Sequence, residues 1–160
     1  MMCTPSALGQ ATESRIGSVG ALFDYLEKEH GYVLAAPVDV DKIAEWLGIE
    51  VDESIDESKP GTIGHIQLTG SGPKVWINPR KNAYSARRRF TLAHEIAHFC
   101  LHLSHSRKAF VDTRANMGRS ESYWNIEESE ANSFAAELLM PKKLIISEGN
   151  KIVEGVNNFV

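Results

Sequence analysis

At 160 residues, with 42% hydrophobic and 24% charged side chains, the chain has the make-up of one globular domain. It is too short for two catalytic domains, and no apolar run approaches the ~20 residues that cross a bilayer. The formal net charge of -4 removes the global attraction on which phosphate-led nucleic-acid binding depends. Cys3 and Cys100 are the only cysteines, so no disulfide framework is indicated, and without a signal-like apolar stretch after Met1 the expected compartment is the reducing cytoplasm.

Residues 1 to 13 lack periodicity and are expected to form a flexible tail, leaving a single domain over 14 to 160. Val19, Leu22, Phe23 and Leu26 fall at helical spacing after Ser18, with Gly31 placed to end the helix in a left-handed cap. Asp39 caps a shorter helix whose Val40, Ile43, Ala44 and Leu47 repeat that spacing up to Gly48. Gly61 to Leu68 and Lys74 to Asn78 read as a β-hairpin around Thr69-Gly70-Ser71-Gly72-Pro73, and Ile49 to Val51 adds a short third strand. Ser85 to about Leu103 is a helix apolar on so much of its girth that it must be buried. Residues 104 to 125 read as irregular. A further helix runs from about Ile126 to Met140, stopped by Pro141, and a last short one is expected within Lys142 to Val160. The pattern describes an α+β fold with about three strands.

Inside the buried helix, His94-Glu95-Ile96-Ala97-His98 is an H-E-x-x-H pentapeptide whose i, i+4 spacing stacks two imidazoles on one face. Two imidazoles without partners would be costly to bury, and a metal removes that cost. A catalytic zinc site needs a third protein ligand, and Glu127, Glu128, Glu130 and Glu137 on the later helix are the candidates. On a helical wheel Glu127 and Glu128 share the inner arc of Ala131, Phe134, Ala135, Leu138 and Leu139, whereas Glu130 and Glu137 fall among the surface positions. Glu128 is preferred, because Asn132 one turn later can hydrogen-bond a ligating group; Glu127 is the reserve. His102 reads as a helix-terminal histidine favoured by the dipole rather than a fourth ligand. Cys100 points about 200° away from the histidines and reads as a buried small hydrophobe. Arg87-Arg88-Arg89 is expected to face water or pair with acids.

The two motifs, Arg88-Arg89-Phe90-Thr91-Leu92-Ala93-His94-Glu95-Ile96-Ala97-His98 and Glu128-Ser129-Glu130-Ala131-Asn132-Ser133-Phe134-Ala135-Ala136-Glu137-Leu138-Leu139-Met140-Pro141, resemble those of the ImmA/IrrE family of zinc metallopeptidases. The resemblance implies a minimal thermolysin-like, gluzincin-type core, with a small sheet against the active-site helix. It also implies that His94, His98 and Glu128 ligate zinc and that Glu95 is the general base. The implied partner is a protein substrate, such as a helix-turn-helix repressor encoded nearby.

The expected reaction is hydrolysis of a peptide bond by a metal-activated water whose proton Glu95 accepts. The strand Lys74 to Asn78 is expected to lie at a sheet edge and align the substrate by strand addition. Tyr84, Tyr123 and His105 are nominees for oxyanion assistance. The alternative is a zinc-stabilised regulator that binds a repressor or antitoxin-like partner without turnover. Val40 to Gly48 resembles the first helix of a helix-turn-helix, but Glu50 to Glu57 is acidic where a recognition helix would meet phosphates, so direct nucleic-acid binding is not expected.

Overall fold

Helix α1 (Val19–His30) starts where the Ser18 hydroxyl accepts the Ala21 N–H at 3.1 Å and ends on Gly31, whose φ of 65° is the left-handed conformation that glycine adopts without strain. Helix α2 (Val40–Trp46) starts the same way, with Asp39 accepting from Lys42 N at 3.0 Å. The computed structural model describes residues 16–58, 60–104, 108–113 and 126–157. The expected tail over 1 to 13 lies outside the described residues, as do His105 and Tyr123.

After α2 the chain turns at Gly48 into strand β1 (Glu50–Asp52), so a strand stands where a recognition helix would begin. Strands β2 (Thr62–Thr69) and β3 (Gly72–Ile77) form the hairpin, with Thr69 opposite Gly72 and the Thr69 hydroxyl donating to Gly72 O at 2.7 Å. Strand β4 (Ala109–Thr113) pairs antiparallel with β2 inside the stretch expected to be irregular. Five residues give too short an alternation to be read locally; the strand exists because β2 offers it a ladder. The sheet therefore has four strands in the order β1-β3-β2-β4, with β1 parallel to β3. This corrects the expectation for Lys74 to Asn78. Lys74, Val75 and Trp76 pair with β1 on one side and β2 on the other, so β3 is interior and the end strands are β1 and β4.

Helix α3 (Ser85–Leu101) lies across β2 and β3, with every residue from Thr91 to His98 buried. Its Leu92 and Ile96 meet Ile66, Val75 and Ile77 from the inner face of the sheet in one core that also takes Leu22, Leu26, Ile43 and Leu47 from the first two helices. Helix α4 (Ile126–Leu139) packs along α3 and buries Ala131, Phe134, Ala135 and Leu138. Small Ala93, Ala97, Ala131 and Ala135, all fully buried, let the two helices approach closely. Pro141 ends α4, and its carbonyl accepts the N–H groups of Leu144 and Ile145 to start helix α5 (Lys142–Asn157), which at 16 residues is longer than the short helix expected. Among the described residues no helix is long and apolar enough to cross a membrane.

Arg88 anchors the start of α3 to the preceding elements. Its guanidinium makes a bidentate pair with Asp41 of α2, at 2.8 and 3.0 Å, and a second pair with Glu53 after β1. Arg89 donates to Val38 O at 2.9 Å. Two members of the basic run are thus committed to structure.

Candidate metal centre

His94 and His98 stand one turn apart on α3 and are both fully buried, with their Nε2 atoms 3.1 Å from each other. Glu128, in the first turn of α4, straddles them: Oε2 is 3.3 Å from His94 Nε2 and Oε1 is 3.5 Å from His98 Nε2. Burial alone would push the Glu128 carboxyl up, but hydrogen bonds and charge from the two histidines more than offset it and hold the group at about 2. One helix supplies the nitrogens and the other the oxygen. The close α3–α4 packing sets their separation.

This group has the donor set and the spacing of a metal site. Four donors held ~2.0–2.2 Å from one ion in a tetrahedron stand about 3.3–3.6 Å from one another. The nitrogen–nitrogen separation of 3.1 Å and the nitrogen–oxygen separations of 3.3 and 3.5 Å, each to a different oxygen of Glu128, fall close to that edge length. Two imidazole nitrogens aimed at each other and at a carboxylate suit a shared cation better than a shared proton, since a single proton satisfies only one pair. Among the described residues it is the one cluster of three histidine, cysteine, aspartate or glutamate side chains with this convergence.

The face of His98 away from the cluster is also built. Its ring stacks on Phe110 of β4, centroids 4.4 Å apart and planes 20° from parallel, and Phe110 is buried. His98 Nδ1 lies 3.0 Å from His102 Nδ1, and His102 Nε2 lies 3.0 Å from Glu130 Oε2. Glu130 is exposed, as expected of a surface charge, and it also reaches His98 of the cluster through the His102 ring. His102 ends α3 as expected of a helix-terminal histidine, with its backbone N–H on His98 O, and its side chain turns inward, only 7% exposed.

Glu95 is fully buried on the adjacent side of α3, where it meets β2 at Gly64. A β-carbon on Gly64 would stand 2.6 Å from Glu95 Oε1 and 2.8 Å from Thr91 Cγ2, so only glycine lets strand and helix approach this closely. The same junction is tied by buried amides. The Thr91 hydroxyl donates to Asn82 Oδ1 at 2.6 Å, and Asn82 Nδ2 donates to Ile63 O at 3.0 Å and to Asn78 O at 2.8 Å.

Glu127 is half-buried and outside the converging group, and Glu137 is exposed. Asn132 is half-buried one turn beyond Glu128, and no hydrogen bond joins it to the cluster among the described residues. Tyr84, nominated for the oxyanion, precedes the first turn of α3 and is 63% exposed. Ten helical residues separate it from His94, about 15 Å along the axis, which takes it out of reach. Cys100 is buried away from the cluster, and burial pushes its thiol up to about 12. Gly64 carries a signal of its own in the sequence, a lone glycine inside the strand run Thr62 to Thr69. Phe110 and Glu130 carried none, since their roles exist only once β4 and α4 are placed.

A buried group of two histidines from an H-E-x-x-H helix and one carboxylate from the helix beside it, backed by a small mixed sheet, defines a metallopeptidase-like domain of the gluzincin type. Residues 45–155, more than two thirds of the chain, match the Peptidase M78 family, described as the IrrE N-terminal-like domain, and the chain belongs to that family. No curated protein was found to match it.

Proposed function

We propose that this protein is a zinc-dependent endopeptidase that hydrolyses a peptide bond in a partner protein, with a helix-turn-helix repressor encoded nearby as the leading partner class. The observation that carries the reading is the convergence of His94, His98 and Glu128 at 3.1–3.5 Å beside a buried Glu95 on the same helix. The donor set favours zinc, which takes imidazole nitrogen and carboxylate oxygen in tetrahedral geometry. His94, His98 and Glu128 would hold it, and when bound it supplies a Lewis acid that polarises a carbonyl and acidifies a water.

The remaining work falls to the chain. Glu95 is held at the junction with β2, and its carboxylate takes the proton of the attacking water and returns it to the departing amine. The buried α3–α4 interface keeps bulk water from the ligands, which strengthens every electrostatic interaction there.

The test is incubation of the zinc-loaded protein with the neighbouring repressor, with and without a chelator. A defined fragment that needs zinc and is absent with Glu95→Gln supports the reading. Stable co-purification of uncut partner would instead make the protein a zinc-stabilised regulator.

A further inference from the structure

Two side chains on the outer flank of the cluster, His102 and Glu130, have no part in the reaction just described, yet they form an unbroken line with His98. From His98 Nδ1 to His102 Nδ1 is 3.0 Å, and from His102 Nε2 to Glu130 Oε2 is 3.0 Å. We propose that His102 and Glu130 are positioning residues that fix the proton of His98 on Nδ1 and so present the Nε2 lone pair to the metal. The proposal rests on the metal reading above and adds to it the machinery that keeps one ligand in its binding tautomer.

Donors and acceptors decide where the proton sits. Two ring nitrogens facing each other at hydrogen-bond distance hold one proton between them. If the proton belongs to His98, then His102 Nδ1 accepts, the His102 proton lies on Nε2, and that N–H points at a carboxylate, which only accepts. Every contact is then satisfied. If it belongs to His102 Nδ1 in a neutral ring, the proton of His98 moves to Nε2, where it faces His94 and Glu128, and the lone pair of His102 Nε2 is set against the charge of Glu130. Glu130 thus selects the first arrangement by acting through His102. Phe110 holds the ring planes in place, since it stacks on His98 and lies 5.6 Å, centroid to centroid, from His102. His102 is almost enclosed while Glu130 is 55% exposed, so truncating Glu130 removes an acceptor without opening the core.

Zinc competition against a chromophoric chelator tests this with the full chain and its Glu130→Ala, Glu130→Gln, His102→Ala and doubly substituted His102→Ala/Glu130→Ala forms, with circular dichroism confirming the fold of each. Both alanine variants should bind zinc ~10- to 100-fold more weakly. Glu130→Gln, whose amide can accept from or donate to His102 Nε2 and so no longer selects between the two arrangements, should fall between Glu130→Ala and wild type. The double variant should be no weaker than His102→Ala, because Glu130 acts only through His102. Imidazole nitrogen NMR of the zinc-loaded wild type should show the His98 proton on Nδ1. Wild-type affinity in Glu130→Ala, additive losses in the double variant, or a glutamine variant as tight as wild type would each overturn the proposal while leaving the metal site standing. Should His102→Ala fail to fold, the Glu130 alanine and glutamine pair decides alone. A wild-type chain that takes up no zinc would remove the metal reading and the proposal together.

Discussion

Gly64 and Glu95 are in such close apposition that a single methyl group on the strand would fall 2.6 Å from the carboxylate of the helix. The strand therefore acts as a wall against which the proposed base is seated. Gly64→Ala should displace Glu95 and lower partner cleavage by ~100-fold, the scale of a 1 Å misplacement, while zinc content stays at the wild-type level. Elemental analysis and cleavage assays on the same preparation check both halves. Undiminished cleavage would place the base elsewhere.

The ligands and the base should separate cleanly by substitution. Glu95→Gln is nearly isosteric and should keep zinc while losing cleavage, since an amide cannot take the proton. His98→Ala and Glu128→Ala should lose zinc and cleavage together, and Glu127→Ala should keep both. Zinc held by Glu128→Ala but lost by Glu127→Ala would shift the carboxylate ligand by one residue.

Asn82 joins three elements: its amide holds Ile63 O and Asn78 O, and its carbonyl takes the Thr91 hydroxyl. Asn82→Ala leaves the buried Thr91 hydroxyl without its acceptor, which costs about 1–3 kcal/mol, while Ile63 O keeps the Asn78 N–H and Asn78 O keeps the Lys81 and Asn82 N–H groups. Urea unfolding should show a lower midpoint with an unchanged slope. A midpoint within error of wild type would mean that the junction is held by packing alone.

Cys100 offers a test of burial. With its thiol pushed up to about 12 by desolvation, fewer than about one in a thousand is ionised at pH 8, and the thiolate is the reactive form. In a Cys3→Ser background, a disulfide reagent should leave the native protein unmodified for hours and label one thiol promptly in denaturant. Rapid native labelling would show that the α3 core opens far more often than its packing implies.

Much of the fold was legible because its signals are local. Asp39 caps the helix that it was expected to cap, Gly31 ends α1 in the left-handed conformation, and Pro141 ends α4. A helical wheel narrowed the carboxylates to Glu127 and Glu128 and the nearby Asn132 favoured Glu128, and the structure brings Glu128, not Glu127, to His94 and His98. What could not be read depends on neighbours distant in sequence. β4 is a strand because β2 lies beside it, and β3 is interior because β1 returns to pair with it in parallel. Glu130 looked solvent-bound on its own helix, since no wheel of α4 shows that the end of α3 brings His102 within 3.0 Å. Tyr84 was nominated as an aromatic hydroxyl near the motif, and the straight course of α3 carries it to the far end.

His98 and Glu128 belong to helices joined through roughly 30 residues of chain, so whatever ion they share fastens that span like a removable staple. Zinc held there would add stability that grows with the logarithm of its free concentration, ~2.7 kcal/mol at a hundred times the dissociation constant, and the unfolding temperature would rise with it. A cell short of zinc would then hold a looser chain that its proteases clear sooner, and the quantity of the protein, as well as its activity, would follow the metal supply.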